Sequence, residues 1–447
     1  MEITGFQMRN DFKITILTPE YYTYGSMVIG GVLKDAGYSV TLQKGFQNIP
    51  KADVIFISLQ STIHLLKYRD QILNLPGYKI LGGPVTQVPE LALEQLPVDL
   101  ILKGEGEVTV LKILKELELS PKKDSTPQLT LDPDLEMVNN NPKVVKGTKS
   151  SLKRPIPLIP ENISSESIRG ANVYIETHRG CPGNCGFCQV PCFFGRKVRS
   201  RPADDIINEV KEFMEKGARR IAISGGTGSL YGSPKFNQVD EQAFSNLLRE
   251  ISNLTGSSNL TVPDVRVDLI NDEILESINL YTNKWVYFGI ESGSENVLKK
   301  MKKGINLDEV RNAVESARRY GLKIAGSFIV AYPGEDDEDF QATLDFADEL
   351  MLDDYFISIA EPLPGTDLGN KIVEIPFNEN PLFIPGEKYK KYGLSLAEER
   401  ALEFMLESYV YRSLPQPMTA ELFKALLDEV KSQGKHIKAV TPMLMGG

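Results

Sequence analysis

Cysteine is scarce in this chain: four in 447 residues, with none before position 181. So thin a supply excludes a disulfide scaffold. With no signal-peptide apolar core near its start, the chain reads as a protein of a reducing, cytoplasmic setting. Long apolar runs are missing too; none approaches the eighteen or so residues that span a bilayer. Positive charge is in deficit, 50 Lys and Arg against 60 Asp and Glu, a balance of −10. That excludes a broad nucleic-acid surface and leaves room only for a local basic patch. Histidine is nearly absent, and His178 and His436 have no evident triad partners, so no hydrolytic centre stands out. What is present is an ordinary globular composition, 41% hydrophobic and 25% charged, long enough for two or three domains with buried cores.

The few cysteines are concentrated. Cys181, Cys185 and Cys188 are spaced C-x3-C-x2-C, and Cys192 follows four residues later. An apolar run ending at Ile175 delivers the segment as a strand delivers its C-terminal loop. Gly180, Pro182, Gly183 and Gly186 forbid regular structure, so backbone amides can turn toward sulfur while the thiolates converge. Three thiolates hold three irons of a four-iron, four-sulfur cluster and leave the fourth open to a non-protein ligand. A closed site with Cys192 as fourth ligand is the alternative, although zinc sites usually pair two short arms across a longer gap. With aromatic Phe187 just before its last cysteine, the motif resembles that of the radical S-adenosylmethionine enzymes. The resemblance implies that Cys181, Cys185 and Cys188 are the catalytic metal ligands, that Cys192 is not, and that S-adenosylmethionine occupies the open iron beside Phe187.

Segments 12–17, 38–42, 54–59, 79–81 and 100–102 read as strands, alternating with helices of which the first is 26–36. The alternation predicts an α/β fold with a doubly wound, flavodoxin- or Rossmann-like parallel sheet, whose ligands sit beyond the strand C-termini. Four loops should open on that edge: Tyr24, Gly25 and Ser26; Ser58, Gln60 and Ser61; Gly82, Gly83 and Pro84; and Gly104, Glu105, Gly106 and Glu107. Their small residues leave room for a large flat ligand or a long tail. The ordered set is similar to the cobalamin-binding domain fused to many radical S-adenosylmethionine enzymes, which implies that these residues line cobalamin. The loop from Thr18 to Gly25 lacks the histidine that ligates cobalt in the D-x-H-x-x-G cobalamin proteins. The resemblance then implies a base-off cofactor, with His64 as either a substitute ligand or a packing residue.

The domain boundaries read as 1–120 for the cobalamin-binding domain and 121–168 for a linker without sustained periodicity. A partial β/α barrel at 169–375 and a small C-terminal helical region at 376–447 follow. In the third segment a helix is expected at 204–216. Strands are expected at 220–223, 265–269, 285–289, 323–330 and 355–360, with function at their C-terminal ends. The family resemblance implies that Gly225, Gly226 and Thr227 form the glycine-rich turn at the methionyl amino group, Thr227 replacing the commoner acidic residue. It places Glu291 and Ser292 near the ribose and carboxylate of S-adenosylmethionine and the turn from Tyr332 to Glu335 beside adenine, while Arg266 is either a partner of that carboxylate or half of a surface salt bridge. Helices are expected at 395–411 and 419–432. Tyr409, Tyr411 and Arg412 either line a substrate cleft or pack the tail, and 441–447 should fold back onto the body.

Together the resemblances imply a cobalamin-dependent radical S-adenosylmethionine C-methyltransferase. A 5′-deoxyadenosyl radical takes hydrogen from an unactivated carbon of a protein or peptide, and methylcobalamin supplies the methyl group. An electron donor such as ferredoxin or flavodoxin is implied as a partner; nucleic acid and membrane are not. Size and layout are similar to those of archaeal enzymes that methylate a glutamine of the methyl-coenzyme M reductase alpha subunit. A lipid or small metabolite is the rival substrate, and a cofactor carrier without turnover the rival from another class. A methylthiotransferase is disfavoured, because its second cluster needs three further cysteines in the N-terminal domain.

Overall fold

The structure, a computed structural model, describes residues 12–119, 137, 141 and 143–445. Strand β1 (Lys13–Thr18) is buried at every position after its first, as suits a central parallel strand covered on both faces. Helix α1 (Tyr24–Asp35) starts at Thr23, whose side chain accepts from the Ser26 amide. It leads to β2 (Ser39–Lys44). Then follow β3 (Val54–Ser58), α2 (Ile63–Lys67), α3 (Arg69–Leu73), β4 (Tyr78–Gly82), α4 (Pro89–Gln95), β5 (Leu100–Lys103), α5 (Thr109–Leu119) and β6 (Val144–Lys146). Among the described residues these strands make one sheet of order β2-β1-β3-β4-β5-β6, parallel throughout. Chain order reverses between β1 and β3, so their following loops part there and leave the crevice in which such sheets bind ligands. Ile14, Ile16, Phe56 and Leu100 of the sheet pack with Leu33 of α1 and Ile113 and Leu114 of α5. Burying each such side chain contributes roughly 1.5–3 kcal/mol.

β6 corrects the reading of 121–168 as featureless linker. Its three residues are too few to show a period, yet Val144 and Val145 are buried against the β5 edge. Of that stretch, 121–136, 138–140 and 142 lie outside the described residues.

Two compact units divide at the end of β7 (Val173–Glu176): residues 1–175 with 201–219, and residues 176–200 with 220–447. In the second unit, β8 (His178–Arg179) and β9 (Arg199–Ser200) pair antiparallel, enclosing the cysteine loop and α6 (Val190–Phe194). Helix α7 (Ala203–Glu215) falls in the first unit. The second unit continues with β10 (Ile221–Ser224), α8 (Glu241–Thr255), β11 (Leu260–Thr261), α9 (Asp272–Tyr281), β12 (Trp285–Glu291), α10 (Glu295–Lys300), α11 (Leu307–Arg319), β13 (Lys323–Val330), α12 (Asp337–Leu350), β14 (Asp354–Ile359) and α13 (Asp367–Glu374). β10 pairs with β11, and β12-β13-β14 form a parallel sheet whose ends carry the site.

The expected strand at 265–269 is not one. Asp264 sits at φ 58°, Val265 alone bridges to Phe288, and Val267–Leu269 coil into a 3-10 turn. Asp268, in that turn, grips the Arg266 guanidinium. Helix α14 (Leu396–Tyr411) is capped by Ser395 and Glu398. Helix α15 (Ala420–Leu444) runs well beyond the expected 419–432. Gly434 resembles a helix stop, but it is a point of close approach: a Cβ there would lie within 3.0 Å of the Glu398 carboxylate. Residues 441–444 are therefore helical, with Thr441 buried, and 446–447 lie outside the described residues. Arg412 stacks 4.2 Å over Tyr409 and pairs with Asp354, so these side chains pack the tail onto the sheet. No helix of the described residues is long and apolar enough to cross a membrane.

Candidate active site

The cysteine loop is clasped from three sides. The Cys181 amide donates to the Gly195 carbonyl at 3.3 Å, the Gly186 amide to Met301 at 2.7 Å, and the Leu368 amide to the Gly186 carbonyl at 2.8 Å. Gly180 takes φ 93°, and a Cβ there would strike the Lys197 backbone. Cys181 is buried, Cys185 and Cys188 are half-buried, and all are free thiols. Burial pushes the Cys188 thiol up to about 12, with Cys185 and Cys181 adding to the rise, and burial raises Cys181 as well. The free Cys181 and Cys188 thiols are thus protonated and must lose their protons when they ligate. Cys192 is exposed, and its Sγ is 3.5 Å from the Gly365 carbonyl.

The donor set fits a cluster better than a single ion. A Cβ on Gly183 would lie 3.4 Å from Cys181 Sγ and 3.7 Å from Cys185 Sγ, so this glycine leaves open a space that two of the thiols border. One tetrahedral zinc would need its sulfurs drawn to about 2.3 Å from a point.

Arg266 stands over the same space. Its Nη1 donates to Cys185 Sγ at 3.4 Å, while Nε and Nη2 grip both Asp268 oxygens at 2.9 Å. Burial works against its charge, but the Asp268 hydrogen bonds and the neighbouring cysteines raise its pKa. Glu291 ends β12 at φ 73° and is held by buried Lys303 at 2.8 Å. The Lys303 ammonium also lies 5.8 Å from the centre of the Phe187 ring. Ser292 is fully buried, its hydroxyl 3.0 Å from that of Thr343 and accepting from the Ser294 amide. It belongs to the framework of this loop. Lys303 and Asp268 carry no mark in the sequence: one sits in a lysine run that reads as a solvated face, the other in an expected strand.

Gly225, Gly226 and Thr227 form a turn against the cysteine loop. A Cβ on Gly226 would meet the Gly180 carbonyl at 3.3 Å and Cys181 Cβ at 3.4 Å; one on Gly225 would fall within 3.0 Å of the His178 ring. Thr227 is the last residue of that turn. Its buried hydroxyl accepts from the Arg266 amide at 3.0 Å, tying the turn to the guanidinium's backbone. His178 is fully buried 2.9 Å from the Thr177 hydroxyl. Burial holds its pKa down at about 4, against Glu176 and the Thr227 backbone, so it is neutral at pH 7. Tyr332 is buried with its hydroxyl 3.1 Å from where a Gly186 Cβ would stand.

In the first unit the expected cobalamin loops share the C-terminal edge of the sheet but not equally its open rim. Across the switch point the Thr23 and Ser58 hydroxyls meet at 3.0 Å. Among the described residues, no atom comes within 4 Å of a Cβ on Gly25 or Gly82, and only the Gly147 amide, at 4.0 Å, approaches one on Gly104. Gly83, at φ 97°, lies too close to the Leu59 carbonyl for any side chain, and Pro84 opens the 3-10 turn that follows. The Gln60 and Ser61 amides donate to His64 Nδ1 at 3.4 and 3.5 Å; His64 is buried with Nε2 3.7 Å from Glu20. The Ser26 hydroxyl donates to Thr23, and the Glu105 carboxylate accepts from the Ser150 amide. Gly106 is packed by Ile29 and Leu102. The Tyr24 hydroxyl binds Glu209, Arg154 and Arg201, with Glu107 3.8 Å from Arg154, making a largely buried polar network.

Residues 175–347 match the Radical SAM superfamily. A Methanocaldococcus jannaschii protein provisionally named methylthiotransferase MJ0865 is 46% identical over 443 residues, covering 97% of this chain and 96% of its own. With the cysteine loop, the family match and a relative of this identity and coverage, the chain belongs to the radical SAM superfamily. The ribosomal protein uS12 methylthiotransferase RimO of Clostridioides difficile is 27% identical over 366 residues, 78% of this chain and 75% of that one. A likeness of fold extends to the radical S-adenosylmethionine methyltransferase TsrM of Kitasatospora setae, solved with cobalamin and a 4Fe–4S cluster bound. The TM-score is 0.65 at 13% identity, over 96% of this chain and 99% of that one.

Proposed function

We propose that this protein is a cobalamin-dependent radical S-adenosylmethionine C-methyltransferase acting on an unactivated carbon of a protein or peptide. The observation that carries the reading is the pairing in one chain of a three-thiol loop at the barrel edge with a doubly wound domain that contains no cysteine. When bound, the cluster and cobalamin supply one-electron cleavage of S-adenosylmethionine and a transferable methyl group. The chain's own residues do the rest. Cys181, Cys185 and Cys188 hold the metal. Gly225, Gly226 and Phe187 shape the adjoining surface, and Glu291 with Lys303 fixes the rim at the end of β12. In the first unit, Gly25, Gly82 and Gly104 leave the rim clear for a corrin. The His64 contacts with two amides and Glu20 favour a packing role over cobalt ligation. The specific substrate to test is a glutamine of the methyl-coenzyme M reductase alpha subunit, chosen on size and layout; a lipid or small metabolite is the alternative.

The name of the 46% relative favours a second reading, methylthio transfer. A sulfur-donating second cluster would need cysteines beyond the loop, and residues 1–180 hold none. Metal content separates the two. Anaerobically reconstituted protein should carry about four iron atoms and one cobalamin per chain. About eight irons and no retained cobalamin would favour methylthio transfer.

A further inference from the structure

Arg266 is held more tightly than a ligand-seeking side chain needs. Its amide is fixed by Thr227 and its Nε and Nη2 fork onto both Asp268 oxygens at 2.9 Å. Nη2 also donates to the Lys303 carbonyl at 2.9 Å, and the side chain is about nine-tenths buried. With the guanidinium plane locked by three contacts, the remaining corner, Nη1, lies 3.4 Å from Cys185 Sγ. Gly183 keeps that corner clear, since a Cβ there would come within 3.2 Å of Nη1. We infer that Arg266 tunes the cluster, donating a hydrogen bond to the Cys185 thiolate and raising the cluster's reduction potential.

The physical ground is charge. One-electron reduction makes the cluster more negative, with no bond formed or broken in the protein. A cation that hydrogen-bonds a ligating sulfur stabilises the reduced form more than the oxidised one. Asp268 keeps the donor aimed, as partners beyond the ligands commonly do at metal sites. Lysine is a poor substitute, because a single ammonium cannot grip Asp268 at two points and still reach the sulfur. The inference rests on the three-cysteine cluster assignment, and the two fail in different ways.

The test is the midpoint potential of the reconstituted cluster, followed by electron paramagnetic resonance in a redox titration without S-adenosylmethionine, in wild type, R266K and R266Q. Iron content is measured first. If wild type binds no cluster, the cluster assignment falls and this inference with it. With full iron, R266Q should shift clearly to more negative potential. R266K should shift the same way by less, since it keeps the charge and loses the aimed donor. If R266Q does not load, R266K alone decides. Full iron with an unchanged midpoint in the variant that loads overturns the inference; weakened S-adenosylmethionine affinity alongside it would make Arg266 a carboxylate partner instead.

Discussion

A single side chain decides little in this protein unless its neighbours leave it no alternative, and the cysteine loop is where they do. Cys181→Ala, Cys185→Ala and Cys188→Ala should each lose the cluster, with iron near zero and no reductive cleavage of S-adenosylmethionine. Cys192→Ala, whose thiol is exposed and turned to a carbonyl, should keep about four irons. Loss of iron from Cys192→Ala equal to the others would contradict the three-ligand assignment. Beside the loop, Gly225 lies against the His178 ring. G225A should destabilise the folded chain by roughly 1–3 kcal/mol through overpacking. In an H178A background the same change should be much milder, a coupling that a double-mutant cycle by denaturant melts would measure. Equal penalties in both backgrounds would rule the contact out as the cause.

Among elements, α14 braces the turn after β13. Arg400 donates to the Glu335 carboxylate at 2.9 Å and to Asp337 at 2.8 Å, and Glu335 in turn accepts from the Ala331 amide at 2.7 Å. Ala331 is held at φ 57° by that grip, and Tyr332 next to it reaches the cysteine loop. Burial lifts the Glu335 carboxyl to about 7, against the pull of Arg400. The folded chain therefore binds this proton more tightly than the unfolded one, and the stability so gained fades as pH rises from the ordinary carboxylate range through about 7. R400M removes the opposing pull, so its loss of stability should be smaller at pH 5 than at pH 8, when the buried carboxylate has no cation. Thermal melts across that range would show it; a penalty independent of pH would mean that Arg400 acts by packing alone.

Elements of this kind also mark what could be read from sequence. The strands around β1, β3, β12 and β13 were legible because buried parallel strands are runs of β-branched and apolar residues ending in glycine or polar turns. β6 was hidden by its three-residue length, and the 3-10 turn after Arg266 by an apolar pattern that a strand would share. The cysteines announced themselves by spacing. The Arg400–Glu335 pair, 65 residues apart, and Lys303 beneath Phe187 did not, since only the closed chain brings such partners together.

On the scale of the whole molecule, the proposed C-methyltransferase would use S-adenosylmethionine twice in each turnover. On that proposal one molecule would be the radical source and another would resupply the methyl group, because a single site cannot orient the same molecule for both ends. The most direct test follows both products during turnover on a peptide substrate deuterated at the reacting carbon. A radical C-methyltransferase should form 5′-deoxyadenosine and S-adenosylhomocysteine in roughly equal amounts once uncoupled cleavage is subtracted, with one deuterium carried into 5′-deoxyadenosine. Methylated product accompanied by S-adenosylhomocysteine without 5′-deoxyadenosine, or product bearing a methylthio group, would contradict it.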